Sequence, residues 1–190
     1  MNTPSFPLAW PTGKPRTADD RRMRSHFKVS FVQARDELLT ELGRMQASKV
    51  ILSTNLPLRR DGLPYANVRE PRDPGVALYF VAFKKSYAFA CDQWDFTRDN
   101  LRAIGCHITA LRGMERWGVS SVEEVFSPFA LPAAIPWWSV LGVKQTANFE
   151  QVRAAYRRLS QKHHPDAGGD RAAWDRIVDA YETAKRKTLS

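Results

Sequence analysis

Between residues 31 and 45 the apolar residues Phe31, Ala34, Leu38, Leu42 and Met45 recur at three- and four-residue steps, the spacing that keeps side chains on one face of an α-helix. Ser30 stands before that run and Gln33 three residues on, the pair of a capping box, so the helix is predicted to start at Ser30. "KVILST", 49 to 54, reads as a buried strand. "VALYFVAF" and "YAFAC", separated by "KKS", predict a hairpin. The loop before them is rich in turn residues: Pro57, Asp61-Gly62, Pro64, Pro71 and Asp73-Pro74-Gly75. A second helix is predicted from about Phe96 to Met114, with Leu101, Ile104, Ile108 and Leu111 inward. The order α-β-β-β-α defines an α+β domain over residues 26–126, one antiparallel sheet under two helices.

The flanks follow other rules. Residues 1–25 hold Pro4, Pro7, Pro11 and Pro15, then Asp19-Asp20-Arg21-Arg22, with no period, and read as a mobile tail. "SSVEEVF" predicts a short closing helix, with Ser121 and Glu124 as a capping pair. Pro128, Pro132 and Pro136 then mark residues 127–136 as a stiff Pro-rich linker. From Trp137 to residue 190 the pattern is all helical. "WWSVLGV" gives a short helix ended by Gly142, and Asn148 with Gln151 caps the next. Val152, Ala155, Tyr156, Leu159 and His163 form its inner stripe, while Arg153, Arg157, Arg158 and Lys162 project outward. A last helix starts after Asp170 and packs through Ala173, Trp174, Ile177, Ala180 and Tyr181. Two helices joined by so short a loop pair antiparallel, with the loop at an exposed tip.

Composition narrows the classes. The chain has 190 residues, 43% hydrophobic, enough to bury a core in one medium or two small domains. Its net charge of +9 comes from 29 Lys/Arg against 20 Asp/Glu, and both halves are basic. Acidic partners, either nucleic acid or an acidic protein surface, are therefore favoured. The two cysteines, Cys91 and Cys106, fit neither a disulfide framework nor a CxxC zinc pattern, and read as reduced thiols. No apolar run reaches the roughly 18 residues that span a bilayer. The charges of the first residues follow the apolar ones, the wrong order for a secretory signal. A cytoplasmic protein is expected, with no membrane partner.

The tip itself reads "QKHHPDAGGDR", residues 161–171. Zinc needs about four ligands at defined spacing, and His163-His164 has no CxxC or HxxxH companion. A triad needs a nucleophile and a concave pocket, which a helical hairpin tip lacks. No metal, cofactor or catalytic residue is expected. Pro165 fixes its own φ and drives His164 out of helical geometry, and Gly168-Gly169 lets the chain reverse. The result is a rigid, outward-facing tip beside a basic helix face.

The constellation "WSVLGV…FEQVRAAYRRLSQKHHPD…AWDRIVDAYETA" resembles the J domain of the DnaJ co-chaperones. His164-Pro165-Asp166 matches the HPD signature, and Leu141-Gly142-Val143, Ala155-Tyr156-Arg157-Arg158-Leu159 and Ala180-Tyr181 match its framework. The resemblance implies a partner, an Hsp70-type ATPase, whose hydrolysis is stimulated by contact with the loop and the positive helix face. It assigns Hsp70 binding to His164, Pro165 and Asp166, with Arg153, Arg157, Arg158 and Lys162 as electrostatic contacts. The chain lacks a Gly/Phe-rich stretch and CxxCxGxG repeats, so it resembles a class C J protein whose other domain directs Hsp70 to a site or client. An enzyme is not expected.

The first domain matches no family by its residues. Its element order is shared with double-stranded-RNA-binding domains, yet the start of its last helix, "DQWDFTRDN", is acidic where those domains carry lysines. Lys84-Lys85 and Arg59-Arg60 are candidate nucleic-acid contacts, with Arg21-Arg22-Arg24 beside them, and Tyr79, Phe80, Phe83, Tyr87 and Phe89 are candidate stacking residues. Asp61, Glu70, Asp73, Asp92 and Asp95 are scattered acids that turn formation explains more simply than Mg²⁺ binding. A client- or site-targeting adaptor is the leading expectation. The alternative is a nucleic-acid-associated protein that recruits Hsp70 to remodel a complex there.

Overall fold

The computed structural model describes residues 3–132, 135–164 and 169–188. The chain divides into two compact units, Met1–Pro132 and Ala133–Ser190. The first contains α1 (Phe31–Arg44), β1 (Ser48–Thr54), β2 (Val76–Ala82), β3 (Lys85–Cys91), α2 (Thr97–Gly113) and α3 (Val122–Phe126). The sheet is antiparallel throughout, in the order β1-β2-β3, so the expected α+β class stands.

Side chains alternate between the faces of a strand, and the register sorts them cleanly. The pairs Leu52↔Leu78, Leu78↔Phe89 and Phe80↔Tyr87 put these residues on one face, in a core with Leu38, Leu42, Leu101, Ile104, Ile108 and Phe126. Each such burial contributes about 1.5–3 kcal/mol. Tyr87 stacks on Phe80 at 5.3 Å between centroids and meets Phe126 edge-on at 5.9 Å. These rings are core, so the base-stacking expectation fails for Phe80, Tyr87 and Phe89. Ser30 Oγ accepts the Gln33 N–H at 3.1 Å, but the Gln33 side chain turns to Glu37. Only half of the expected capping box forms.

The hairpin turn is the two-residue Phe83-Lys84, with φ of 49° and 59°, the left-handed pair of a type I′ connection. Gly or Asn would occupy it at less strain. Here the Phe83 ring instead packs partly into the core, 6.5 Å from both Tyr87 and Phe126.

The opposite sheet face corrects the expected mobile tail. Ala77, Tyr79 and Ala90 are buried beneath Leu8, Trp10 and Leu131. The leading segment is tied down along its length: Leu8 N–H to Asn55 Oδ1 at 3.0 Å, Ala9 N–H to Ser53 Oγ at 2.8 Å, and Thr54 N–H to Ser5 O at 3.0 Å. Tyr79 O–H donates to Ala9 O at 2.9 Å. A sheet with a second apolar face needs a cover, and this strap supplies it without any regular element.

The Pro-rich stretch also differs from a bare linker. Ser127–Phe129 forms a 3₁₀ turn, and Leu131 N–H donates to Ser86 O at 2.7 Å. Ala130 bridges to Tyr87 along the outer edge of β3. The first unit thus runs on to Pro132, past the expected end at residue 126.

The second unit holds α4 (Trp137–Leu141), α5 (Phe149–His163) and α6 (Arg171–Thr188). Gly142, at φ 66°, ends α4 in the left-handed region, where glycine carries no Cβ penalty. Asn148 and Gln151 form the full reciprocal box that starts α5. Val152, Ala155, Ile177, Ala180 and Ala184 are buried with Trp137 and Leu141 as one core. Small alanines let α5 and α6 approach closely. Among the described residues, no helix is long and apolar enough to cross a membrane.

Candidate functional site

The tip of the second unit is built from the end of α5 and the start of α6. α5 stops at His163, and His164 adopts extended geometry, φ −64° and ψ 132°, as a residue before proline must. Pro165 and Asp166, the rest of the expected trigger, lie outside the described residues, as does Gly168. Beyond them, Gly169 N–H donates to His164 O at 3.0 Å and closes the loop. A Cβ on Gly169 would fall on the backbone of His163, so this position requires glycine. Asp170 Oδ2 accepts the Ala173 N–H at 3.1 Å and caps α6 as expected.

His164 is half-buried. Its ring meets Trp174 edge-on, with centroids 4.8 Å apart and planes at 71°. Trp174 in turn lies 6.5 Å from Tyr156, which stacks on Tyr181 at 4.2 Å. Arg153, Arg157, Arg158 and Lys162 are all exposed on α5, opposite the buried Val152 and Ala155. No Asp or Glu lies between Gln151 and His164 on that helix, and Glu150 stands one turn before Arg153, so the face is net positive. Arg158 also reaches toward the end of α4, its Nη2 3.9 Å from where a Cβ on Gly142 would stand.

In the first unit the candidate nucleic-acid residues are exposed but partly occupied. Lys84 lies in the hairpin turn and Lys85 opens β3 beside it, with Lys85 Nζ 3.2 Å from Glu123. Arg59 pairs with Asp61 at 3.1 Å, and Arg60 is exposed beside it. Arg22 is taken up by Asp19 and Asp73.

The scattered acids also have structural partners. Asp92 accepts from Arg16 Nε at 2.7 Å and from both the N–H and O–H of Thr17. Asp73 binds Arg16, Arg22 and the Gly75 N–H. Glu70 caps α2 through the Thr97 N–H and hydroxyl. The local Asp73 to Gly75 bond is the turn the sequence predicts; the others were not legible, because their partners lie tens of residues apart with no local pattern. Among the described residues no group of His, Cys, Asp and Glu is placed to hold a metal. Cys91 is half-buried, 3.3 Å from Asn100 Oδ1, and burial pushes its thiol pKa up. Cys106 is exposed, while the neighbouring His107 ring lies on Phe89 and Phe129, 5.7 and 5.5 Å away.

Comparison with known proteins places the tip in a family. Residues 136–188 match the family model described as DnaJ domain. Among curated relatives, DnaJ protein ERDJ7 of Oryza sativa subsp. japonica is 45% identical over 51 residues, which is 25% of this chain and 16% of that protein. Chaperone protein DnaJ of Mycoplasma capricolum subsp. capricolum is 40% identical over 48 residues, 25% of this chain and 13% of that protein. Curved DNA-binding protein of Pseudomonas putida (strain GB-1) is 41% identical over 46 residues, 24% of this chain and 14% of that protein. The matched stretches thus span about a sixth or less of these relatives' lengths. No solved structure matches the chain. The C-terminal helical unit carries a J domain, and the match does not extend to the α+β unit.

Proposed function

We propose that this chain is a co-chaperone that docks on an Hsp70-type ATPase and stimulates its ATP hydrolysis. His164, Pro165 and Asp166 form the trigger, and Arg153, Arg157, Arg158 and Lys162 guide the encounter. The observation that carries this reading is the DnaJ-domain match over residues 136–188, joined to a helix that keeps all four basic residues exposed. The chain stimulates its partner and is not itself the catalyst. The α+β unit acts as the adaptor that brings Hsp70 to a client or site. A cytoplasmic site of action goes with two unpaired cysteines.

Exposed charges chiefly set association rate and weaken with salt. Binding of the chain to an immobilised Hsp70, followed at 50 and 300 mM salt, tests the reading. The on-rate falls with salt, and replacing Arg157 and Lys162 by Ala flattens that dependence. Binding that is equally fast at both salts, with or without those residues, contradicts the guiding role.

A second reading concerns nucleic acid. One relative is named a curved DNA-binding protein, and Lys84, Lys85, Arg59 and Arg60 are exposed on a chain of net charge +9. Retarded migration of a labelled duplex at physiological salt, weakened by replacing these four residues, supports recruitment of Hsp70 to a nucleic-acid complex. Loss of all binding at that salt removes the reading.

A further inference from the structure

The His164 ring ends a row of aromatic side chains that follows the seam between α5 and α6. Phe149 lies 6.4 Å from Tyr181, Tyr181 stacks on Tyr156 at 4.2 Å, Tyr156 lies 6.5 Å from Trp174, and Trp174 meets His164 at 4.8 Å. All five residues are half-buried. The row is anchored in the helix pair at one end and reaches the loop at the other.

The His164 backbone has left the helix, and holding an imidazole in one rotamer costs entropy. Trp174 is itself fixed. Its N–H donates to Asp170 O at 2.9 Å, the first bond of α6, and its ring has Tyr156 beside it. An edge-to-face contact of this kind favours the held rotamer by about threefold to tenfold.

We propose that Trp174 is a positioning residue for the Hsp70-stimulating loop: its ring holds the His164 imidazole in the orientation that docks. The proposal rests on the co-chaperone reading above. Sequence periodicity marks Trp174 only as one more core residue of α6, and its burial in part is what leaves a face for His164.

Two measurements on the intact chain test it. In NMR spectra the His164 ring protons of the wild type carry a ring-current shift. Trp174→Leu abolishes that shift while keeping helix content, and Trp174→Phe retains most of it. In Hsp70 ATPase assays, Trp174→Leu raises the half-stimulating concentration by about threefold to tenfold, and Trp174→Phe restores it. A folded Trp174→Leu protein with wild-type His164 resonances and wild-type stimulation overturns the proposal. So does equal loss in the Leu and Phe variants, which marks a structural role alone. Should Trp174→Leu fail to fold, Trp174→Met takes its place under the same criteria. If the wild type stimulates no Hsp70, the co-chaperone reading falls, and the NMR arm still decides whether Trp174 orients His164.

Discussion

Arg16 Nε and Asp92 Oδ2 meet at 2.7 Å across 76 residues of sequence, and that bond fastens the leading strap to the end of β3. The Asp92 side chain is 5% exposed, so removing the cation leaves a buried carboxylate with only Thr17 as a remaining partner among these bonds. Arg16→Ala is expected to cost about 1–3 kcal/mol, toward the low end because solvent screens the 38% exposed guanidinium. Hydrogen exchange reads this directly. The Leu8, Ala9 and Thr17 amides exchange faster in the variant while those of β2 hold. Unchanged strap amides would detach Arg16 from this role.

Tyr87 offers the opposite case. Its side chain is 0% exposed within the Phe80, Phe83 and Phe126 cluster, and its hydroxyl has no hydrogen-bond partner among the described residues. A buried polar atom without a partner costs about 1–3 kcal/mol. Tyr87→Phe therefore leaves stability unchanged or raises it by up to about 1 kcal/mol, measured by the urea midpoint at constant slope. A loss above about 1 kcal/mol would mean the hydroxyl is satisfied in solution.

The helices and several of their caps were legible because helical periodicity and capping pairs are local, while Glu70 caps α2 from far along the chain. Asn148 with Gln151 and Ser121 with Glu124 both form the reciprocal boxes their spacing predicts. The strap was not legible, since Leu8 and Trp10 cover the sheet on a segment held by the Leu8 N–H to Asn55 and the Ala9 N–H to Ser53, bonds that follow no period. The Phe83-Lys84 turn was hidden for a related reason: neither residue prefers positive φ, and only tertiary packing of the Phe83 ring offsets the strain. At the tip, the sequence pointed to His164 and to the basic face of α5. It could not show that Trp174 reaches the His164 ring, because that contact depends on where the loop returns.

His107 makes stability depend on pH. The His107 ring is exposed on one side, and its contacts with Phe89 and Phe129 on the other partly desolvate it and lower its pKa from the usual value, as does the charge of Lys14. Between the folded and unfolded values the unfolded chain binds more protons, so stability rises with pH through that window and is lost as pH falls. Urea midpoints at pH 7.5 and 5.5 check this. The wild type loses more on acidification than His107→Gln does; equal losses would leave the ring without a role.

Gly169→Ala probes the loop without touching a charge. The added Cβ meets the His163 backbone, so the Gly169 N–H to His164 O bond has to break or α6 has to shift. Circular dichroism is expected to keep its helical signal while stimulation of Hsp70 drops about tenfold or more, the scale of a misplaced contact group. Full stimulation by this variant would show that loop closure is dispensable.

Steady-state ATP hydrolysis by an Hsp70, with the intact chain added and with His164→Gln beside it, tests the central claim most directly. Stimulation by the wild type that vanishes in the variant, at equal folded concentration, is the predicted result. Equal stimulation by both proteins, or none by the folded wild type with any Hsp70 tried, would contradict it.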